Sequence, residues 1–481
     1  MNVRAVLRTV GRTLLLEAAL LLLTSLYALL AGEECFSAFL CAAISAGAVG
    51  ALLTLPGRKE RSGMSLRDGF ATATLSWVGI SLFGALPFTL SGALPCFADA
   101  LFETVSGFST TGASVITSVE SLDKALLFWR SFTHWLGGMG VLVLVMALTE
   151  NAPDRSINIL RAEMPGHSVD KFAPSASGTA RTLLLIYVLM TALECVLLLC
   201  GGMPVFDSVI HAIGTAGTGG FGIKSDSVAS YNPYIQWVIT AFMLLFGVSF
   251  SVYCLLLRKD FGSVAKMNEL WCYLGIFGAA TLIITLNLAG GCGSAGEALR
   301  LSAFQTSSVM STTGFATADF DRWPQLSKAV LVLLMIGGGC MGSTAGGLKI
   351  SRVRSLVRLA FIELRRSVSP RSVSAVRQNG RTLGTEEELS LMSYLVLYLL
   401  VILATFLLIS FEPFGFETNF TAALSCVNNI GPGFGLIGPA GSYADYSAFS
   451  KLVLSAAMLM GRLEIYPLAA LMIPGTRSVR R

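Results

Sequence analysis

Long apolar stretches alternate along this chain with short polar or basic segments. They run roughly 13–31, 35–55, 70–93, 125–148, 182–201, 235–257, 269–290, 326–348, 389–410 and 450–473. Each is close to the ~20 residues that an α-helix needs to cross a bilayer, so ten spanning helices are predicted. Between them lie four shorter segments, about 97–109, 206–216, 297–311 and 416–428. At 11 to 15 residues these are re-entrant lengths. Asp99, Asp207 and Glu297 fall in or near the first turn of three of them, where negative charge suits the positive end of the helix dipole.

Each short segment runs into a glycine-rich loop. The loops read Ser109-Thr110-Thr111-Gly112-Ala113-Ser114, Gly217-Thr218-Gly219-Gly220-Phe221-Gly222, Ser311-Thr312-Thr313-Gly314-Phe315-Ala316 and Ile430-Gly431-Pro432-Gly433-Phe434-Gly435. Aligned on Gly112, Gly220, Gly314 and Gly433, they lie 108, 94 and 119 residues apart. Three carry an aromatic at the next position, and Ala113 is the exception. The repeating unit is span, half-helix, loop, span. It divides the chain into repeats over 58–150, 151–260, 261–382 and 383–481, after an N-terminal two-helix hairpin over 1–57. The predicted fold is an all-α polytopic membrane protein with fourfold pseudosymmetry.

Irregular backbone survives at membrane depth only where it is buried in protein or lines water. Backbone carbonyls in such a place can replace the water around a cation. Glycine reaches the backbone angles that aim successive carbonyls at one axis, and threonine adds a hydroxyl oxygen. The candidate ion-selecting residues are Thr110, Thr111 and Gly112; Thr218, Gly219 and Gly220; Thr312, Thr313 and Gly314; and Gly431, Pro432 and Gly433. No carboxylate stands at the glycine positions, so a ring suited to divalent ions is not expected. Close helix packing is the alternative use of one such glycine. Four equivalent loops on one face favour a pore.

Composition agrees. The 481 residues are 54% hydrophobic and 13% charged, with mean hydropathy +0.70, so the bilayer is the main solvent. The first span is basic at its front, but Ala31-Gly32-Glu33-Glu34-Cys35 is a poor cleavage site, and a retained helix is expected. With Met1 inside, 26 of the 34 Lys and Arg fall on inside segments, which predicts both termini in the cytoplasm. The net charge of +5 then reports topology and gives no reason to invoke nucleic acid. The ten cysteines lack metal-ligand spacing, though Cys35, Cys96 and Cys292 fall near the outer face. His134, His167 and His211 form no cluster. Arg130 is expected to snorkel to the interface, and Glu17 to pair with another helix.

The span at 326–348 contains Gly337-Gly338-Gly339-Cys340-Met341-Gly342-Ser343-Thr344-Ala345-Gly346-Gly347. Each glycine costs up to about 1 kcal/mol against alanine in a helix, so the span should break here. The freed backbone groups then suit a water-filled cavity better than tight packing. Arg462, the one basic residue deep in the last span, is expected to face the pore and repel cations while it is shut. A structural salt bridge is the alternative. Glu464, two residues on, has the wrong spacing to be its partner.

On these loops, together with Gly346-Gly347-Leu348-Lys349 and Gly461-Arg462-Leu463-Glu464, the chain resembles the Trk/Ktr family of potassium uptake proteins over roughly 70–474. The hairpin resembles the Trk branch. The resemblance implies that the central glycine of each loop forms a potassium filter, with glycine at the first position arguing for potassium over sodium. It implies potassium, with rubidium alongside, as the permeating ion and no covalently bound cofactor. It also implies an intramembrane gate over Gly337, Gly338, Gly339, Gly342, Ser343, Thr344, Gly346, Gly347 and Arg462. A homodimer in the cytoplasmic (inner) membrane and a ring of nucleotide-binding regulatory subunits are further implications. The inside segment 349–381, with nine basic residues and one acidic, suits either anionic lipid or such a partner.

Two other function classes compete. A symporter coupled to protons or sodium would use a site between inverted halves and a paired set of broken helices. Only one long span looks broken, and the repeats share one orientation. A membrane enzyme is disfavoured, since no nucleophile–base pair, HExxH or Walker-type phosphate loop is present.

Overall fold

The computed structural model describes residues 2–55, 65–141, 143, 176–369, 376–378 and 381–468. His167 and much of the inside segments 57–68 and 150–181 lie outside these. The described chain is helical apart from a two-stranded ribbon, Arg377–Gln378 with Arg381–Thr382. It divides into two compact units.

The first unit comprises 1–101, 140–181 and 462–481. Helices α1 (Val3–Ala31) and α2 (Phe36–Thr54) form the expected hairpin, with Gly32 left-handed between them at φ 73°. The two helices meet at glycines. A β-carbon on Gly11 would sit 2.7 Å from the Gly50 carbonyl oxygen, and one on Gly50 would sit 2.9 Å from that of Gly11. Small residues at such a crossing let backbones approach closely. Helix α3 (Leu66–Leu90) packs on both and starts with a Ser65/Asp68 capping box. Asp68 also accepts the Asn2 N–H at 2.9 Å, tying the start of α1 to α3. Glu17 is buried in α1, and neither of its carboxylate oxygens has a hydrogen-bond partner among the described residues.

The second unit comprises 102–139 and 182–461. It holds the expected short helices at nearly the expected bounds: α4 (Phe97–Phe108, whose first turns belong to the first unit), α7 (Val205–Ala216), α12 (Ala295–Met310) and α16 (Phe416–Asn428). Their first turns carry Asp99, Asp207, Glu297 and also Glu417, so the charge pattern extends to all four. Long helices α6 (Ala176–Cys200), α11 (Asn268–Leu288) and α15 (Thr385–Ile409) precede three of them.

The helices that follow the loops are shorter than their apolar stretches. Helix α5 (Lys124–Met139) ends before Gly140, which has φ 85°. Helices α8 (Pro233–Phe246) and α9 (Phe250–Leu257) meet at a 90° bend, with short α10 (Phe261–Ala265) beyond. Helix α13 (Gln325–Gly337) gives way to a loop before α14 (Ile350–Val368). Helix α17 (Ala448–Arg462) is followed by Glu464 and Ile465 at φ 53° and 63°. Among the described residues, six helices are long and apolar enough to cross a membrane, or seven with α8–α9 counted as one; the predicted stretches 125–148 and 450–473 lie partly outside the described residues. Breaks in the stretches 235–257 and 326–348 are made by backbone geometry inside apolar runs. More than one of these stretches is therefore interrupted, contrary to expectation.

Candidate functional site

The four short helices end alike. The fifth-back bonds Thr111 N–H to Ser106 O, Gly219 N–H to Gly214 O, Thr313 N–H to Ser308 O and Ile430 N–H to Ser425 O span 2.8–3.0 Å. The preceding residue donates three back, at 3.1, 2.9, 3.1 and 3.4 Å from Thr110, Thr218, Thr312 and Asn429. This is a Schellman ending, which puts one residue in the left-handed region and usually uses glycine there. Here it holds Thr110, Thr218, Thr312 and Asn429, at φ 58°, 53°, 56° and 56°. A β-branched residue so placed costs of order 1–3 kcal/mol and persists only where its surroundings fix it. In each loop the second residue after it is a left-handed glycine: Gly112, Gly220, Gly314 and Gly431, at φ 78°, 76°, 88° and 98°.

This corrects the register of the fourth loop. Gly431, not Gly433, matches the other three glycines. Gly433 lacks a left-handed backbone and donates to Ile437 O at 2.8 Å. Pro432 then stands where Ala113, Phe221 and Phe315 stand.

The four glycines meet in a closed ring. A β-carbon on Gly112 would strike the carbonyl oxygen of Gly219, one on Gly220 that of Thr313, and one on Gly314 that of Ile430. One on Gly431 would lie 2.6 Å from the Thr111 carbonyl oxygen, which closes the circuit. The same four glycines line one cavity of about 350 Å³. Among the described residues Arg130 and Lys224 are its charged lining residues, and no carboxylate lines it. Thr111, Gly219 and Thr313, expected among the ion-selecting residues, lie inside this ring, and Ile430 takes the fourth place.

Packing behind the ring fixes it. Gly137 and Gly138 of α5 admit the ends of α4 and α7: a β-carbon on Gly137 would strike the Phe108 carbonyl, and one on Gly138 would lie 2.6 Å from the Gly217 α-carbon. The His134 imidazole fills the space beside Gly219 and bonds Gly107 O at 2.7 Å. Glu103 accepts the Val115 N–H at 2.9 Å and the Ser114 hydroxyl at 3.0 Å. Tyr443 donates to Gly431 O at 2.8 Å. Arg130 does not snorkel. It is 4% exposed, with Nε 2.5 Å from Glu103 and Nη1 3.1 Å from Gly222 O. Its guanidinium carbon stacks 3.6 Å over the Phe221 ring. Sequence reasoning missed Glu103 and Tyr443. The one available signal for Glu103 was a carboxylate inside an apolar half-helix.

The glycine-rich segment after α13 is the second part of the site. Gly338, Gly342, Gly347 and Lys349 are left-handed, at φ 67°, 78°, 78° and 75°. The loop is strapped down on three sides. Gly346 N–H donates to the Thr312 hydroxyl at 2.7 Å, directly on the third glycine loop. Cys340 N–H donates to Gly247 O, and Phe250 N–H to Gly342 O, each at 2.9 Å, so the α8–α9 bend and this loop satisfy one another's freed backbone groups. The Thr344 hydroxyl joins the same bend through Phe246 O at 3.2 Å. Glu269 Oε1 accepts Met341 N–H at 2.7 Å and Ser351 N–H at 3.2 Å. The Ser343 hydroxyl turns back to Cys340 O at 2.7 Å, and Lys349 Nζ donates to Ala345 O. A β-carbon on Gly346 would strike the Asn428 carbonyl, one on Gly338 that of Gly346, and one on Gly339 would lie 3.1 Å from Gly247 O. Gly337 closes α13 itself. Arg462 ends α17 half-buried, its guanidinium carbon 5.9 Å from the Trp77 ring centre.

None of the ten cysteines is in a disulfide, Cys35, Cys96 and Cys292 included. His134 and His211 are buried singly, with no metal cluster about either among the described residues.

Residues 36–289 and 291–480 match the TrkH family model, described as cation transport protein. The chain is 34% identical over 480 residues to the Trk system potassium uptake protein TrkH of Salmonella typhimurium, covering 98% of this chain and 99% of that one. It is 34% identical over 420 residues to TrkG of Escherichia coli, covering 86% of each. The crystal structure of the potassium transporter TrkH from Vibrio parahaemolyticus superposes with a TM-score of 0.88 at 30% identity, over 98% of this chain and 99% of that one. The chain belongs to the TrkH family of cation transport proteins.

Proposed function

We propose that this multi-span membrane protein is a gated, potassium-selective uptake pathway across the cytoplasmic (inner) membrane. One observation carries the reading: four left-handed glycines, each against the next loop's carbonyl, close a ring that lines one cavity. Such a ring offers four sets of backbone oxygens to a dehydrated cation. The four loops then act as the filter of four channel-like repeats with fourfold pseudosymmetry, using Thr110–Gly112, Thr218–Gly220, Thr312–Gly314 and Asn429–Gly431. Potassium is the ion by the names of the relatives, with rubidium as its surrogate. The family is one of transport proteins, and the enzyme class falls away.

The loop 338–349 is the gate in this reading, supported by its hydrogen bond to Thr312 on the filter loop. Arg462 is assigned to the same gate on its sequence position. Both termini are cytoplasmic, on the distribution of Lys and Arg. The active form is a homodimer, and a nucleotide-binding regulatory subunit docks near α14, where Arg358, Arg365 and Arg366 are exposed.

The test is ion flux in liposomes holding the purified protein, with potassium, rubidium and sodium gradients and internal pH followed together. The reading expects potassium and rubidium flux well above sodium, without proton movement. Flux that needs a proton or sodium gradient would move the mechanism to symport.

A further inference from the structure

The left-handed residue of each loop puts a side-chain oxygen at the same backbone position, and the four oxygens are not used alike. Thr110 Oγ1 and Asn429 Oδ1 are buried without a hydrogen-bond partner among the described residues. Thr218 Oγ1 donates to its own neighbour, Gly217 O, at 2.7 Å. Thr312 Oγ1 alone takes a bond from a distant segment, the N–H of Gly346. That donor sits at the end of the loop whose other bonds go to Gly247, Phe250 and Glu269.

We propose that the Thr312 hydroxyl is a latch: it holds the gate loop shut through Gly346 and offers the same oxygen to a cation at the inner end of the ring, so that ion occupancy and gate closure oppose each other. The inference rests on the filter and gate reading above. A backbone N–H carries the positive end of its dipole. Closed, the loop aims that end at an oxygen that would otherwise help to hold a cation. A cation drawn to Thr312 Oγ1 meets this N–H as a like charge. The coupling is reciprocal: whatever closure takes from cation affinity, cation binding takes from closure. Thr312 is thus a positioning residue for the gate, and its strained backbone at φ 56° keeps the hydroxyl where both partners reach it.

Cys340 is a built-in reporter. It lies in the gate loop, 1% exposed, with its N–H bonded to Gly247 O. The full chain in liposomes is treated with a small methanethiosulfonate reagent in potassium or in sodium at equal ionic strength. Peptide mass mapping then reads modification at Cys340 apart from the other cysteines, and selective flux is measured on the same liposomes. Potassium should speed Cys340 modification at least about fivefold over sodium, the lower end of typical coupling. Thr312→Val should be fast in both salts, and Thr312→Ser, which keeps the hydroxyl, should behave as the native chain. If Thr312→Val does not fold, Thr312→Ala takes its place. Modification of the native chain at one rate in both salts overturns the latch, as does a full potassium response in the variant without the hydroxyl. Unselective flux from the native chain overturns the filter reading and the latch with it, and the flux data report that outcome separately.

Discussion

Arg130 holds Glu103 through Nε at 2.5 Å, with both side chains buried, and the same guanidinium caps the Gly222 carbonyl at 3.1 Å. One ion pair thus joins the half-helix before the first glycine loop to the backbone of the second. Removing one partner of a buried pair costs about 3–5 kcal/mol, because the other charge is left uncompensated. Arg130→Gln should therefore lower the thermal midpoint of the detergent-solubilised protein by several degrees and reduce discrimination between potassium and sodium. Arg130→Lys should fail to restore either, since an ammonium lacks the fork that reaches Glu103 and Gly222 and the plane that stacks on Phe221. Thermal unfolding and flux on the two variants check this.

The fourth loop gives a sharper test of register. Gly431 has φ 98°, and a β-carbon there would sit 2.6 Å from the Thr111 carbonyl. Gly433 has no such backbone constraint, and a β-carbon there meets side chains, at 2.5 Å from Ile437 Cδ1 and 2.8 Å from Thr421 Oγ1. Gly431→Ala should cut rubidium uptake by about tenfold or more, as about 1–3 kcal/mol of strain at the ring implies. Gly433→Ala should keep uptake within about threefold of native, for shifts of flexible side chains worth less than 1 kcal/mol. The reverse order would restore the alignment on Gly433.

The loops after α4 and α7 carry a pH-sensitive clasp. Glu120 accepts the Ser225 hydroxyl at 2.7 Å and the Ser225 N–H at 2.6 Å. These bonds, the hydroxyl's first, hold its carboxyl below the ordinary carboxylate value. A lowered pKa in the folded state stabilises the clasp above the unfolded-state pKa, and that stabilisation is lost as the pH falls through the folded-state value. Protection of the backbone amides around Ser225, taken relative to their intrinsic exchange rates, should therefore fall once the pH drops below the ordinary carboxylate range in the native chain. Glu120→Gln should show lower protection at neutral pH and no further loss of it on acidification.

Arg462 tests the gate. On the proposed gate reading, loss of this charge in Arg462→Ala should raise potassium flux by about three- to tenfold, since 1.4 kcal/mol off a barrier is worth tenfold. The ratio of potassium to sodium should not change. Unchanged flux with a lowered thermal midpoint would assign Arg462 to structure instead, in line with its place over Trp77.

The four half-helices were legible because their signals are local: an acidic first turn, an apolar run of re-entrant length and a glycine loop. The register of the fourth was not. The pair Gly433-Phe434 imitates Gly220-Phe221 and Gly314-Phe315 in sequence, while the backbone instead repeats a left-handed Asn429 followed by Gly431. Asparagine tolerates that region better than threonine does, and this was the available signal. The break after α13 was visible in its glycines. The α8–α9 bend was not, because Gly247-Val248-Ser249 holds a single glycine and its freed carbonyl is satisfied by Cys340, 93 residues away. Arg130 was misread for the same reason. Its partner Glu103 lies 27 residues back on a half-helix, and only the folded chain shows that a buried acid waits there.

The central claim is that Gly112, Gly220, Gly314 and Gly431 surround a cation. Anomalous diffraction from crystals grown in rubidium tests it most directly. The account predicts rubidium peaks on the axis between the four loops, within coordination distance of their backbone carbonyls, that disappear when sodium replaces rubidium. Rubidium bound elsewhere, with no peak inside the ring while the same protein still carries rubidium in liposomes, would contradict it.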